Sequence, residues 1–270
     1  MAKQQTIQQN EEGDKEEAKK KKPCQKLILC TSQTKYRVVK KACRRLEFKL
    51  NEDEKVDWDL YWADTGIQPQ LIQKMQSYQR INHYPGMYSL SHKNHLCRNL
   101  KRMQKFFSNE FEFFPRTWIL PFEASDFKGQ FTKKKAKTFI VKPAANCQGK
   151  GIFLTRDYES IDLKSGEQFV VQRYLHKPYL IDNLKFDMRI YVLVYGVDPL
   201  RVFVFREGLA RFATEEYTGP FKNNLDNLYM HLTNYAINKN SENFEANEDS
   251  ADDETGSKRS ISAVLKYIEE

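Results

Sequence analysis

A run of alternating side chains at residues 186–194 constrains the fold more than any other feature of the chain. In a β-strand, side chains two residues apart lie on the same face, so Lys185, Asp187 and Arg189 are expected to share one face. The other face is then expected to be apolar, with Phe186, Met188, Ile190 and Val192. Residues 201–205, beyond the turn at 196–199, are the expected partner strand. The sequence thus predicts an antiparallel pair that carries a row of charges in front of a core face.

The N-terminal part of the chain shows a strand, a helix and a second strand. Residues 27–30 and 58–63 are the two strands, and between them apolar side chains recur at helical spacing: Val38, Val39, Ala42, Cys43 and Leu46. This order predicts an α/β unit. A further helix is expected from Ser91, its predicted N-cap, to about Phe107, and its inward side chains are Leu96, Leu100 and Phe107.

A hairpin with a glycine-containing turn is predicted in the middle of the chain. Residues 138–143 form a strand, residues 145–151 the turn, and residues 152–154 a second strand. Because the turn leads into a strand, it differs from the phosphate-binding loops that lead into a helix. Residues 169–175 make another strand, and residues 118–121 resemble the start of a connector.

Two charged segments are expected to lack regular structure. Residues 1–26 are rich in Gln, Glu and Lys without an apolar centre, which predicts a disordered, basic-ended tail and no signal peptide. Residues 240–259 hold seven acidic and two basic side chains, which predicts an acidic loop. Residues 261–268 then have helical spacing. The chain stops at Glu270, which we interpret as a truncation.

The overall charge favours a polyanionic partner. The formal net charge of the 270 residues is +8, and it is +13 without residues 240–259. A basic face attracts nucleic acid, anionic lipid or acidic protein tails, and charge alone leaves all three open. We find no RNA-binding, helix-turn-helix or zinc-site pattern. Five unpatterned cysteines predict a reducing compartment, and no apolar run approaches the ~20 residues of a membrane span, so we expect a soluble, intracellular protein.

Two candidate sites carry lysines. Lys142 and the turn at 148–151 suit a phosphate, because glycines let backbone N–H groups approach closely and lysines neutralise charge. The same residues also suit a solvated hairpin turn. The row of Lys185, Asp187 and Arg189 suits a nucleotide, with a base or ribose contact beside phosphate-binding cations. An exposed ladder of charges is the alternative.

Two further candidates lie later in the chain. Arg206 and Arg211 belong to a turn and suit a carboxylate such as that of a free amino acid, although an ordinary hairpin end with solvated arginines is slightly favoured on local grounds. Residues 231–235 offer short polar groups for phosphate or metal-bound water. For His231 itself we favour a buried, hydrogen-bonded structural role.

The order of these motifs is more specific than any one of them. A lysine-bearing hairpin, then Val-Gln-Arg-Tyr-Leu, Lys-Phe-Asp-Met-Arg, Gly-Leu-Ala-Arg and His-Leu-Thr-Asn resembles the tubulin tyrosine ligase-like family of ATP-grasp ligases. The resemblance covers residues 36–238 and includes the segments 58–62 and 81–86. It implies an α/β, ATP-grasp-like fold with an N-terminal α/β domain (27–120), a central domain (121–176) and an incomplete C-terminal catalytic domain (177–270).

Carried over by position, the resemblance implies a role for each motif. Lys142 and Arg189 are the implied catalytic residues, with Arg189 facing the transferring phosphate. Arg211 is expected to hold the carboxylate of the incoming amino acid, with Tyr235 beside it, and Gln148 to face the protein substrate. The implied ATP contacts are Lys142, Gln148, Gly149, Gln172, Arg173, Tyr174, Leu175, Lys185, Phe186, Asp187, Thr233 and Asn234.

The implied reaction is isopeptide ligation on acidic tubulin tails. ATP phosphorylates a glutamate side chain, and the amine of free glutamate attacks the acyl-phosphate. Mg²⁺ is expected as well, but the family's metal ligands are expected beyond residue 270, so no metal ligand is assigned here. The letters Glu-Ala-Asn at 245–247 are interpreted as a coincidence.

Several alternatives stay open within and beyond the family. Gln148 is typical of chain-elongating glutamylases, while a glycylase or a tyrosine ligase is the rival. An inactive fragment that binds ATP or tubulin is a second alternative, and a basic nucleic-acid binder a third. We expect a monomer that acts without nucleic acid or membrane, in the cytoplasm and on the cytoskeleton, with the cilium or basal body as a narrower location.

Overall fold

The computed structural model describes residues 26–132, 137–247 and 254–270. The chain divides into two compact units, Met1–Met87 and Tyr88–Glu270. The predicted tail at 1–26 lies outside the described residues except for its last residue. The division after Met87 differs from the domain boundary that we expected at residue 120.

The first unit is an α/β unit built on a parallel sheet. Its four strands run in the order β2-β1-β3-β4, and the β1–β2, β1–β3 and β3–β4 pairs are all parallel. The predicted succession of strand, helix and strand is therefore confirmed. The elements are β1 (Ile28–Gln33), α1 (Arg37–Arg45), β2 (Lys49–Asn51), β3 (Leu60–Ala63), α2 (Pro69–Lys74) and β4 (Arg80–Ile81).

Helix α1 buries less than its sequence predicts. Only Cys43 is buried, while Val38 and Leu46 are each 70% exposed. The strand that follows the helix, β2, is only three residues long. The core of this unit instead centres on Cys30, Trp58 and Tyr61, with the two aromatic rings 5.4 Å apart.

The second unit contains an antiparallel sheet in the order β5-β8-β6-β7. Trp118 and Leu120, expected in a connector, are fully buried in the edge strand β5, which pairs with β8. Trp118 packs 5.2 Å from Phe127, whose ring lies 5.0 Å from Phe139. The strands are β5 (Thr117–Leu120), β6 (Phe139–Pro143), β7 (Phe153–Thr155) and β8 (Phe169–Arg173).

Three helices accompany this sheet. They are α3 (Tyr88–Ser91), α4 (Lys93–Phe106) and α5 (Ala124–Lys128), and a 3-10 turn spans Leu163–Ser165. The helix predicted from Ser91 exists as α4, but Ser91 ends α3 and His92 is the N-cap of α4. Phe107, predicted to face inward, is exposed because the helix ends before it.

A second antiparallel sheet of the same unit has the order β14-β13-β10-β9. Strands β11 and β12 form a separate two-stranded hairpin. The elements are β9 (Leu180–Ile181), β10 (Leu184–Arg189), β11 (Val192–Val197), β12 (Leu200–Val204), β13 (Leu209–Glu216), α6 (Leu228–His231), α7 (Tyr235–Asn238), β14 (Lys258–Ser260) and α8 (Ile261–Glu269).

The single strand predicted at 186–194 is broken between Arg189 and Val192. Here the chain stops pairing with β13 and starts pairing with β12. Gly208 lies at the break, where a Cβ atom would stand 2.3 Å from the Arg189 carbonyl oxygen, so only glycine fits. The predicted core face is also limited to Phe186, which stacks on Phe212 at 5.3 Å. The apolar side chains further along this face are exposed: Met188, Ile190 and Val192.

The segment predicted as an acidic loop includes a strand. Residues 248–253 lie outside the described residues, but Ser257 donates its N–H to the Glu245 carbonyl at 3.1 Å, and Lys258–Ser260 forms β14. The helix predicted at 261–268 is confirmed as α8. Its N-cap is Ser260, whose hydroxyl accepts from the Ala263 N–H at 2.9 Å.

Candidate functional site

The tip of the β6–β7 hairpin lies against the segment that connects α6 and α7. Gly149 has a positive φ of 85°, and a Cβ atom there would stand 2.6 Å from Ile237 Cδ1 and 3.1 Å from Asn234 Cγ. Gln148, next to it, is exposed and also has a positive φ of 59°. The structure thus brings the turn that contains Gln148 and Gly149 against Asn234, which the sequence placed in a separate motif.

Lys142 lies on the face of its sheet that is turned away from the core. Its Nζ donates to Gln172 Oε1 at 3.1 Å, and Gln172 Nε2 donates to Thr117 Oγ1 at 3.0 Å. Burial lowers the pKa of the Lys142 ammonium, and the nearby charge of Lys93 lowers it further. Among the described residues, Lys142 has no carboxylate within ion-pair distance.

Lys93, at the start of α4, was missed by sequence reasoning. Its Nζ donates to the Pro143 carbonyl at 3.2 Å and also to the Asn146 carbonyl. It therefore holds the base of the hairpin and places a second cation near Lys142. No local pattern could have identified it, because its partners lie about fifty residues away in the sequence.

Lys185 is held in place by the groups around its ammonium. Its Nζ donates to the Tyr174 hydroxyl at 3.1 Å and to the His231 carbonyl at 2.7 Å, and it lies 4.7 Å from the centre of the Tyr174 ring. Burial lowers the pKa of Lys185 to about 8, helped by the charge of Lys142 and opposed by that of Asp187. The surroundings of Lys185, like those of Lys142, therefore disfavour the charged form of the side chain.

A buried histidine fixes the direction of the hydrogen bonds at Lys185. His231 Nε2 lies 3.1 Å from the Asn224 carbonyl, which can only accept, so this nitrogen carries the proton. His231 Nδ1 then accepts from the Tyr174 hydroxyl at 2.9 Å, which leaves the Tyr174 oxygen free to accept from Lys185. Burial lowers the pKa of His231 to about 4, so the ring is neutral at pH 7. The structural role favoured for His231 is confirmed.

Asp187 and Arg211 bind each other across the β10–β13 pair. They are register partners, and Arg211 Nε donates to Asp187 Oδ1 at 2.8 Å, with a second bond from Nη2 to Oδ2. This pairing raises the pKa of Arg211. Two residues expected to meet different ligands are therefore bound to each other. Lys93, Lys142, Lys185, Asp187 and Arg211 thus form a series of charged side chains in which each lies near the next.

A further cation, Lys258, lies beside the end of this series. It is the register partner of Arg211 on β14, and its Nζ lies 4.3 Å from the centre of the Tyr235 ring. Sequence reasoning missed Lys258 because it treated residues 240–259 as a loop. The only available signal was the change from acidic to basic residues after Gly256.

Some predicted contacts could involve only the backbone or an exposed surface. The Arg173 side chain lies on the opposite face of the sheet from Gln172, 5.9 Å from the Phe139 ring centre. Arg173 and Tyr174 already use their N–H groups, which donate to the Arg116 and Thr138 carbonyls. Of three other predicted residues, Phe186 packs against the core, and Leu175 and Arg189 are exposed.

Residues 26–132, 137–247 and 254–270 contain no group of three His, Cys, Asp or Glu side chains arranged to hold a metal ion. No helix in this part of the chain is both long enough and apolar enough to span a membrane.

Comparison with known proteins identifies the family. The sequence pattern of the Tubulin-tyrosine ligase family matches residues 70–270. The chain belongs to this family. It is 52% identical to a "Probable beta-tubulin polyglutamylase" of Tetrahymena thermophila, over 91% of this chain and 21% of the relative.

Two human relatives of the same family are also similar to the chain. It is 46% identical to "Tubulin polyglutamylase TTLL6" over 91% of this chain and 27% of the relative. It is 45% identical to "Tubulin polyglutamylase TTLL13" over 96% of this chain and 31% of the relative. The chain therefore spans between about a fifth and a third of the length of these relatives.

Proposed function

We propose that the protein is an ATP-dependent ligase that joins free glutamate to glutamate side chains on tubulin tails. The observation that most supports this is the pair formed by Lys142, on the hairpin strand β6, and Lys185, on β10. Lys142 is close enough to Lys185 for its charge to lower the pKa of Lys185, and neither lysine has a carboxylate partner within ion-pair distance in the described part of the chain. Such a pair is suited to a polyphosphate. The names of the relatives supply the rest of the proposal.

The residues present fit the phosphates of ATP. Lys142 and Lys185 supply charge, and the missing side chain at Gly149 lets the hairpin tip pack against Asn234, itself a predicted ATP contact. Thr233 and Asn234 lie in the segment beneath the hairpin tip, and Gln172 orients Lys142. Leu175, which is 64% exposed, offers an apolar surface for the base at the end of β8. ATP, when bound, supplies the phosphoryl group that activates the acceptor carboxylate.

A second group of residues suits the amino acid. A guanidinium has five N–H donors, and Arg211 uses two of them on Asp187, so others are available for the carboxylate of free glutamate. Lys258 and Tyr235 lie beside it and add a second cation and an aromatic face. Arg189 is exposed at the end of β10 and is assigned to the transferring phosphate, while Gln148 is assigned to the protein substrate.

The described residues do not fit Mg²⁺, which prefers oxygen ligands and commonly accompanies ATP. No cluster of three carboxylate or imidazole groups is found in the described ranges, and we therefore assign no step to a metal. The layout of an ATP-grasp ligase, with the hairpin in a central domain and β9–β14 in a catalytic one, remains part of the proposal. A cytoskeletal location, with the cilium as a narrower option, is proposed on the same basis.

The test is incorporation of labelled glutamate into microtubules, with ATP binding measured separately. Lys142→Met and Lys185→Met each remove a cation and should abolish incorporation and weaken ATP binding. Lys164→Met, at an exposed position outside the site, is the matched control and should change neither. Incorporation of glycine or tyrosine in place of glutamate would contradict the proposed substrate. ATP binding without any incorporation would favour a binding module over a ligase.

A further inference from the structure

Helix α4 carries a second basic surface, separate from the hairpin. Arg98, Lys101, Arg102 and Lys105 follow the spacing of helix neighbours and lie on one side. They line a cavity of about 470 Å³ together with Phe122 and Glu123 from the turn after β5. We call this the α4 pocket. The four cations lie in a concave surface, unlike the charges of an ordinary solvated helix face.

One carboxylate already shows how the α4 pocket holds an anion. Glu123 binds Lys101 through one oxygen, while its other oxygen accepts from the Ile119 N–H at 2.7 Å. The Arg98 guanidinium lies 5.7 Å from the centre of the Phe122 ring. Among the described residues, Arg98, Arg102 and Lys105 have no acidic partner. Three cations of the pocket are thus available to carboxylates from another molecule.

We propose that the α4 pocket binds a glutamate-rich peptide, and that it holds the acceptor chain at a distance from the reacting end. This inference rests on the proposed function. Lys93 and Arg102 belong to the same helix, and Lys93 contacts the base of the hairpin. Nine residues of α-helix rise about 13.5 Å, which an extended peptide covers in about four residues. Acceptor chains of about four or more glutamates are therefore long enough to reach both the hairpin and the α4 pocket.

The contents of the pocket favour an acidic peptide over a nucleic acid. Single-stranded nucleic acids are bound by aromatic faces on which bases stack. The Phe122 ring is the aromatic side chain that lines the pocket, and Arg98 already lies beside its face. Carboxylates need only the guanidinium and ammonium groups, and arginine binds them through two parallel N–H bonds.

The test compares labelled hexaglutamate and diglutamate by fluorescence anisotropy, with the full 270-residue chain. Arg98→Glu with Arg102→Glu reverses two charges of the pocket. Arg44→Glu with Arg45→Glu makes the same change on the exposed end of α1 and is the matched control. The pocket variant should weaken hexaglutamate binding about tenfold and the control much less, because charges on an exposed helix end contribute little to binding. Diglutamate should bind weakly to all three proteins.

Other results would overturn the inference. Equal weakening by both double variants means that overall charge binds the peptide, and tighter binding of an oligonucleotide with the same charge means that the pocket serves nucleic acid. ATP binding, measured on the same samples, reports folding and separates the two proposals. If ATP binds and hexaglutamate does not, the α4 pocket inference fails alone. If hexaglutamate binds through the pocket and ATP does not bind, the ligase proposal fails alone.

Discussion

At the scale of single residues, the charge of Lys185 makes nucleotide binding depend on pH. Its pKa of about 8 in the folded protein lies below the usual value, because the ammonium is buried and near Lys142. A bound polyphosphate favours the charged form, so binding takes up a proton above pH 8. We expect the affinity for ATP to fall by up to about tenfold per pH unit between pH 8 and 10, measured by calorimetry.

Lys185→Arg is the control for this prediction. Arginine stays charged throughout this range, so the contribution of residue 185 to the slope should disappear while that of Lys142 remains. The contribution of Lys185 to folding stability changes with pH in the opposite direction to its contribution to ATP binding. The unfolded chain binds the proton more tightly than the folded one, so the contribution of Lys185 to stability rises with pH from about 8 to about 10.4. Identical binding profiles for wild type and Lys185→Arg would contradict this account.

Gly149 tests whether the hairpin tip belongs to the nucleotide site. Alanine at a positive φ costs about 1–2 kcal/mol, and its Cβ would also press on Asn234 and Ile237. Gly149→Ala should therefore lower the free energy of unfolding by about 1–2 kcal/mol and weaken ATP binding about tenfold, since about 1.4 kcal/mol corresponds to that factor. Gly166→Ala has the same strain at φ 76° with no atom within 4 Å. It should lose similar stability and bind ATP normally; equal ATP affinity in both variants would argue against a role for the tip.

At the scale of elements, Glu207 anchors helix α8 to the connection between β12 and β13. One carboxylate oxygen accepts from the Gly208, Ile261 and Ser262 N–H groups, and the other accepts from the Ser262 hydroxyl. The Ser262 hydroxyl and then the Gly208 N–H lower the pKa of Glu207. Glu207→Gln keeps the shape and removes the charge. We expect a loss of about 1 kcal/mol at pH 7, measured by urea unfolding.

The pH dependence distinguishes this charge from packing. A carboxylate with a lowered pKa contributes stability above its unfolded pKa of about 4.3, and this contribution is lost as pH falls through the folded value. The difference between wild type and Glu207→Gln should therefore shrink near pH 3. Glu242→Gln, at an exposed position, should have no effect at either pH. A difference that persists at pH 3 would mean that packing and not charge is responsible.

The elements that the sequence predicted well are those set by neighbouring residues. The hairpin at 138–154 and helix α8 follow from local patterns and a glycine-containing turn or a serine cap. The break before Val192 depends instead on Gly208, which approaches Arg189 from the neighbouring strand. The pairing of Asp187 with Arg211 likewise follows from strand register, which a single motif does not contain. Contacts of this kind decide the site, and they could not be predicted from one sequence.

At the scale of the whole molecule, every residue assigned to the ATP and amino-acid sites lies in the second unit. The series runs from Lys93 to Lys258, within Tyr88–Glu270. The fragment 88–270 should therefore bind ATP within about threefold of the full chain, which is less than 1 kcal/mol of binding free energy. Equilibrium binding of a fluorescent ATP analogue measures this directly. Fragment 26–87 is the control and should not bind; a large loss of affinity in 88–270 would mean that the first unit contributes to the site.

The β11–β12 hairpin determines how the protein behaves when it is concentrated. Its apolar side chains are exposed on both faces, among them Leu193, Tyr195 and Phe203. Exposed strands with apolar surface associate with their counterparts on other molecules, and such encounters rise with the square of concentration. Sulfate and similar salts strengthen the burial of apolar surface. We therefore expect precipitants of that kind to promote association through the hairpin, and we expect dilute samples in polymer precipitants to crystallise more readily.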